Sequence, residues 1–383
     1  MKDLAEVRQE IDSIDDELLK LFRRRLAIAA DVAAAKKATG MAVCDPARER
    51  AILTRVTEGL SAEEENDARI FFSTLFTISK ARQRSILNGE STLTDSIRSA
   101  MKDAPETFPT KAVVAVPGVE GSYAQQAACE FFPIPTILYF KSFESVFEAV
   151  EKGLCPYGVL PIENSAAGSV SSVYDLMVRH RFRIVRALRL KVDHVLLANP
   201  GAKLEDIREV ASHPHAIAQC QDFLSAHREI NVIPGTNTAV AAKELTASGA
   251  KDRAVIASRA CAELYGLKIL AEDIADAAYN YTRFICISKS MEIYPDANKF
   301  SIMLRLPHRP GSLNSIISKF SAINVNLTKL ESRPIPGMDF EFRFTFEFEA
   351  PPTSEPVLAL LAELSQDPEI EHFTFLGAYA EHS

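Results

Sequence analysis

Glu163, Asn164 and Ser165 stand in a row directly after the apolar stretch Tyr157–Leu160 and the dipeptide Pro161-Ile162. A carboxylate, an amide and a hydroxyl placed together can hold a small polar ligand and exchange a proton with it. The apolar stretch predicts a buried strand, and Pro161, which has no N–H for a ladder, predicts its end. The small residues that follow predict Ser169 as the N-cap of a helix over 170–178. The polar triplet then faces a helix N-terminus from the C-terminal end of a strand, where open α/β sheets bind ligands. One such triplet is as often a capped turn. Here the pattern recurs at Ser212-His213-Pro214 with Gln219, at Thr236-Asn237-Thr238 and at Thr282-Arg283. Four junctions rich in hydroxyls and amides point to one lined cleft. His213, held before a proline, reads as a loop former rather than a base.

A second set of residues is cationic. Leu4, Val7, Ile11, Ile14, Leu18 and Leu21 step by three and four along a long amphipathic helix, and the next seam position is Arg25, before Ile28 and Val32 resume. A cation in an apolar seam is costly unless an anion meets it. Lys36 lies on nearly the same face, about 16 Å further along the axis, so the two cations could close on one ligand. Arg8 is about 25 Å from Arg25 on the same helix and cannot share that pocket within one chain. An antiparallel second copy would bring it there, so a homodimer with shared sites is expected. Asp45-Pro46 predicts the start of a second helix carrying Arg48 and Glu49 in its first turn. Ser61 and Glu64 form a capping box for a third, on which Ser79 and Gln83 share a face.

The elements that must position these groups divide the 383 residues into three parts. Residues 1–90 read as the helical part. Residues 91–110 mix Ser, Thr and Asp with Pro105 and Pro109 and read as a linker, with at most one short helix. Residues 111–290 alternate strands and helices, which predicts a two-lobed α/β domain with a mainly parallel sheet in each lobe. In it Gly118-Val119-Glu120-Gly121-Ser122-Tyr123 is a glycine loop whose amides could cradle an anion. Residues 299–383 read as βαββαβ, an α+β ferredoxin-like order. There Phe340, Phe342, Phe344, Phe346 and Phe348 alternate with polar residues, so one face should meet a core and the other water.

A net charge of −8 argues against a nucleic-acid binder, since phosphate neutralisation needs a basic face. The six cysteines are scattered, with no zinc-ligand spacing, and fit reduced thiols in a cytoplasmic protein. No apolar run is long enough for a membrane span, and no signal peptide is expected.

Arg8, Arg25, Lys36, Asp45, Arg48, Glu49, Ser79 and Gln83 together resemble the binding constellation of the all-helical chorismate mutase family. The resemblance implies that Arg25, Arg48 and the Arg8 of a second copy bind carboxylates. Lys36 and Gln83 would face the ether oxygen of chorismate, with Asp45, Glu49 and Ser79 on the hydroxyl side. The rearrangement to prephenate is pericyclic, so such a site need only hold one conformer and stabilise developing charge. Gly118–Tyr123, Pro161–Ser165, Ser212–Pro214 and Thr282-Arg283-Phe284 resemble, in combination and order, the motifs of prephenate dehydratases. That implies a fold like the two-lobed periplasmic binding proteins and conversion of prephenate to phenylpyruvate. Thr282 is then the catalytic residue, Arg283 the carboxylate clamp, and Glu163, Asn164, Ser165, Ser212, Gln219 and Phe284 further contacts. The proton for the departing hydroxyl could come from a protonated Glu163 or from Thr282. Pro117 stands ahead of the glycine loop where another residue is more usual.

Gly311-Ser312-Leu313 and Glu331-Ser332-Arg333-Pro334 resemble the effector motifs of ACT domains, with Ser312 where alanine is more usual. They imply phenylalanine sensing at an interface between two such domains. The combined reading is a bifunctional chorismate mutase–prephenate dehydratase, a homodimer or homotetramer using no cofactor or metal. The rivals are a non-catalytic amino-acid sensor and an enzyme with one live activity.

Overall fold

The computed structural model describes residues 3–39, 41, 43–88, 91–277, 279–335, 337–338 and 341–382; Phe340 of the phenylalanine stripe lies outside them. The helical part is α1 (Leu4–Thr39), α2 (Pro46–Thr57) and α3 (Ala62–Asn88). Asp45 accepts the N–H of Arg48 at 3.0 Å and Pro46 takes the first position of α2. Glu64 accepts the N–H of Ser61 at 2.9 Å to start α3. Of the apolar side chains in this part, Ala29, Ala33 and Phe76 are buried. The seam Leu4, Val7, Ile11, Ile14, Leu18 and Leu21 stays exposed, which a chain on its own cannot make favourable.

The linker contains α4 (Thr92–Asp103), and this helix is no spacer. Leu93, Ile97, Ala100 and Met101 form one apolar face that joins the core around Phe300, Phe346 and Leu361 of the C-terminal part.

The first α/β lobe runs β1 (Lys111–Pro117), α5 (Tyr123–Phe131), β2 (Ile134–Phe140), α6 (Phe143–Glu151), β3 (Tyr157–Asn164), β4 (Gly168–Ser169), α7 (Ser171–His180) and β5 (Arg183–Lys191). The second runs β6 (His194–Ala198), β7 (Glu209–Ser212), α8 (Pro214–Ala218), α9 (Gln221–Ala226), β8 (Asn231–Pro234), α10 (Thr238–Ser248), β9 (Arg253–Ser258), α11 (Arg259–Tyr265) and β10 (Lys268–Ala271). β11 (Tyr281–Ser288) returns to the first lobe, between β3 and β5. The sheets are mixed rather than mainly parallel. β1, β2 and β3 are parallel, as are β7, β8 and β9, but β11 is antiparallel to both its neighbours and β6 is antiparallel to β9 and β10. The antiparallel strands are those that carry the chain between the lobes.

Two local expectations also change. β3 does not end at Pro161: it runs on to Asn164, with Pro161 paired to Phe284 and a bulge at Ile162 just after it. Ser169 does not cap α7, whose N-cap is Val170 without a side-chain bond; Ser169 lies in β4, paired with Glu163.

The C-terminal part is β12 (Lys299–Arg305), α12 (Ser312–Ala322), β13 (Leu327–Pro334), β14 (Phe342–Glu349), α13 (Glu355–Gln366) and β15 (His372–His382), with strand order β13-β14-β12-β15. Phe346 and Phe348 are fully buried with Phe300 and Phe320. The opposite face of β14 is not in water, because Thr345 and Glu347 are buried too. They meet the first lobe: Ala380–His382 of β15 pair in parallel with Arg186–Leu188 of β5, so one sheet runs through both parts. Gly377 permits that approach, since a Cβ there would sit 2.3 Å from the carbonyl oxygen of Ile184.

Candidate active sites

Between the two lobes lies a cleft of about 990 Å³. Its floor is set by register. Asn164 ends β3 opposite Thr282 at the start of β11, and Asn164 Nδ2 donates to Thr282 Oγ1 at 2.9 Å. The orientation of Asn164 is fixed because its Oδ1 accepts the N–H groups of Ala166 and Ala167 at 3.0 and 2.9 Å. Its Nδ2 also donates to Asn280 Oδ1 at 2.9 Å, and Asn280 Nδ2 donates to Gln219 Oε1 at 2.9 Å. Thr282 Oγ1 is therefore an acceptor on the protein side, and its own hydrogen is left for the cleft. Asn280 was not among the sequence candidates, although an amide two residues before Thr282 is one more polar junction residue.

The cleft favours an anion. Lys141 brings a positive charge to its lining, His194, His213 and His215 add imidazoles, and no carboxylate lines it among the described residues. The N-terminal ends of α5, α7 and α10 open onto it, adding the positive ends of helix dipoles. His213 does act as a loop former, its Nδ1 accepting the N–H of His215 at 3.2 Å. The glycine loop is not an open anion cradle. Gly118 N donates to Phe140 O, Gly121 N to Gln125 Oε1 and Ser122 N to Val119 O, so those amides are spent inside the protein.

Four expected contacts lie elsewhere. Ser212 is wholly buried and gives its hydroxyl hydrogen to Ile256 O at 2.6 Å. Ser165 ties the turn after β3, donating to Tyr279 O and accepting from Tyr281 N at 3.2 and 3.0 Å. Arg283 and Glu163 point to the other face of the sheet. Strand side chains alternate, so with Thr282 and Phe284 lining the cleft Arg283 must leave it, as must Glu163 beside Asn164. Behind the sheet Arg283 meets β14 and β15. It donates to Glu347 at 2.7 and 3.0 Å and to Tyr379 Oη at 2.8 Å, and Glu381 lies 3.5 Å away. Burial works against its charge, but Tyr379, Glu347 and Glu381 outweigh it and hold the pKa above the ordinary arginine value. Arg283 is thus a buried tie to the C-terminal part and not a carboxylate clamp. Glu163 pairs with Lys329 at 3.0 Å and Arg283 at 3.4 Å, which removes it as a proton donor in the cleft.

The residues expected to bind an effector share this seam. On β13 Lys329, Glu331 and Arg333 face the first lobe. Ser169 Oγ donates to Glu331 at 2.6 Å and accepts from Lys329 at 2.7 Å, and Arg333 donates to Ser171 O at 3.2 Å. Ser332 and Pro334 alternate outward and are exposed. Gly311 and Leu313 flank Ser312 at the start of α12, where Ser312 Oγ is buried without a partner.

In the helical part Arg25 donates to Ser79 Oγ and, at 3.0 Å, to Leu75 O. Burial lowers its pKa. Lys36 Nζ donates to Val43 O at 2.5 Å, and Glu49 pairs with Lys80 at 3.1 Å. Ser79 and Gln83 are buried, and among the described residues Gln83 Oε1 has no hydrogen-bond partner. Arg8 and Arg48 are exposed. Among the described residues no cluster of His, Cys, Asp or Glu could hold a metal ion. No helix there is long and apolar enough to cross a membrane.

The family model for chorismate mutase type II matches residues 7–84, and that for prephenate dehydratase matches residues 114–292. A bifunctional chorismate mutase/prephenate dehydratase of Enterobacter agglomerans is 30% identical over 367 residues, 94% of this chain and 92% of that protein. Arogenate dehydratase 2 of Petunia hybrida is 41% identical over 225 residues, 58% of this chain and 57% of that protein, so the chain spans little more than half of that relative. Among solved structures, a prephenate dehydratase of Arthrobacter aurescens in complex with L-Phe superposes with a TM-score of 0.63 at 30% identity, covering 70% of this chain and 89% of that one.

Proposed function

We propose, for a chain that belongs to the bifunctional chorismate mutase/prephenate dehydratase family, that it rearranges chorismate to prephenate in its helical part and converts prephenate to phenylpyruvate in the cleft. In the second reaction the bond from the ring to its carboxylate breaks and leaves as carbon dioxide, its electron pair entering the ring. The ring C–OH bond breaks with its pair going to oxygen, and a proton completes the water. Aromatisation drives the step, so the protein must bind a dianion and supply that proton.

The observation that supports this reading is the Thr282 hydroxyl, fixed by Asn164 as an acceptor and left to donate into a cleft that no carboxylate lines among the described residues. Lys141, as the lysine lining that cleft, and the helix N-termini replace Arg283 as partners for the substrate carboxylates. Thr282→Ala tests it: phenylpyruvate formation should be abolished while prephenate binding stays measurable by calorimetry. Unchanged turnover would remove Thr282 from the mechanism.

For the first reaction the exposed seam of α1 supports assembly of two helical parts, so that Arg8 of a second copy joins Arg25, Arg48, Lys36 and Gln83 around chorismate. Mass measurement of the full chain in solution should give a dimer or a tetramer. Phenylalanine is the proposed effector, bound by the ACT-like part. The contacts of Lys329 and Glu331 with Glu163 and Ser169 support a direct route from that part to the hairpin carrying Asn164.

A further inference from the structure

His194 belongs to none of the sequence patterns, yet it is 3% exposed and lines the cleft. It opens β6, where the chain enters the second lobe. Its Nε2 lies 3.0 Å from Gln219 Oε1 and its Nδ1 lies 3.4 Å from the hydroxyl of Tyr123, the last residue of the glycine-loop motif. Tyr123 in turn donates to Asp193 O at 2.7 Å.

The hydrogens of this cluster can be assigned from one end. Two backbone N–H groups fix Asn164, Asn164 fixes Asn280, and Asn280 donates to Gln219 Oε1. That oxygen carries only lone pairs, so His194 must present its Nε2–H to it. Two donors then hold the Gln219 carbonyl toward the protein. The Gln219 amide nitrogen turns the other way, 3.4 Å from Asn164 Oδ1, with a second N–H left for the cleft. Burial lowers the pKa of His194, in keeping with a neutral ring.

We infer that His194 is a positioning residue for substrate binding: its Nε2–H pins the Gln219 carbonyl away from the cleft, so that Gln219 offers an N–H to a substrate carboxylate. This rests on the proposed dehydration of prephenate. Without the imidazole only Asn280 still donates to the Gln219 carbonyl, so the amide is held by one donor in place of two and a fraction of the molecules turn the carbonyl toward the anion and repel it. Thr282 is unaffected, because Asn164 is held by backbone groups. The effect therefore falls on KM and spares kcat.

The test is steady-state dehydration of prephenate by the full chain. His194→Phe keeps the ring volume without the donor, and should raise KM at least tenfold with kcat within threefold. His194→Gln, which restores an N–H, should return KM to within threefold of wild type. On a Gln219→Ala background, His194→Phe should add nothing. An unchanged KM in His194→Phe, additive effects with Gln219→Ala, or equal damage from Phe and Gln would overturn the assignment. A readout independent of turnover is the nitrogen NMR spectrum of ¹⁵N-histidine-labelled protein. His194 should be the Nε2–H tautomer at neutral pH, and an Nδ1–H or charged ring would refute the inference even if prephenate proved not to be the substrate. Absent wild-type turnover alongside an Nε2–H tautomer would instead count against the proposed reaction.

Discussion

Arg283→Met separates two roles that one arginine could have. The guanidinium is 7% exposed and its main partner, Glu347, 2% exposed. Removing one member of a buried pair leaves the other charge uncompensated, at a cost of about 3–5 kcal/mol. Glu381 keeps Lys299 as a partner, so the damage centres on Glu347. At roughly 2 °C per kcal/mol for a unit of this size, Arg283→Met should lower Tm by about 6 °C or more. Glu347→Leu alone should cost less, because Arg283 keeps Tyr379, Glu381 and Glu163. The double variant Arg283→Met/Glu347→Leu should recover much of the loss, since an apolar pair of similar volume can replace a buried ion pair at little cost. KM for prephenate should stay within about threefold in all three proteins. A substrate clamp behaves otherwise: losing a charge-assisted hydrogen bond costs about 1.5–3 kcal/mol, or roughly 10–150-fold in KM. Lys141→Met is the proper comparison and should show that rise without a change in Tm. Thermal melts and steady-state kinetics on the same preparations decide the matter. A tenfold higher KM in Arg283→Met with unaltered Tm would refute the placement of Arg283 behind the sheet.

Three other outcomes follow from the same contacts. Lys36→Ala should reduce mutase turnover at least about 100-fold, the usual loss for one donor at a developing oxyanion, while dehydration of supplied prephenate continues; a near wild-type mutase rate would exclude Lys36. Lys329→Met cuts the link from β13 to Glu163 and Ser169, and should raise the phenylalanine concentration for half-inhibition about tenfold or more with the uninhibited rate kept; unchanged inhibition would place the coupling elsewhere. Glu381 also makes the sheet junction acid-labile. Burial would raise its pKa, but Arg283 and Lys299 overcome this and lower it. Its stabilisation is therefore complete above the unfolded value of about 4.3 and is lost as pH falls from there through the folded value, so Glu381→Gln should flatten the Tm profile below that pH.

The helix starts at Pro46 and Ala62, the alternation of lobes and the βαββαβ order could all be read locally, because caps and hydrophobic periods act within a few residues. What could not be read was which neighbour each polar face meets. Residues 91–103 look like a hinge by their Ser, Thr and Asp content, yet four apolar positions on one face commit them to a distant core. The seam of α1 was legible as apolar, and among the described residues nothing covers it. Ser212 and Ser165 have the right chemistry in the right loops and spend it on backbone groups. His194 carried no local signal at all, because its partners Gln219 and Tyr123 come from elements 25 and 71 residues away.

Arg283 shows how far a sequence pattern can be pushed. Once Thr282 is assigned to the cleft, the period of a strand already sends Phe284 to the same side and Arg283 to the other. The same reasoning removes Glu163 when Asn164 is kept. An arginine and a glutamate on the hidden face of adjacent strands call for partners there, because neither charge survives burial alone. Glu347, on the supposedly wet face of β14, and Lys329, two residues before Glu331, were therefore owed a contact with the first lobe. Alternation says that such a contact must exist; only the docked sheet identifies it. Because the seam lies directly behind Thr282 and Asn164, any shift of β13 or β14 reaches the cleft floor through one peptide unit, which is why the Lys329 and Arg283 variants are the ones to compare under phenylalanine.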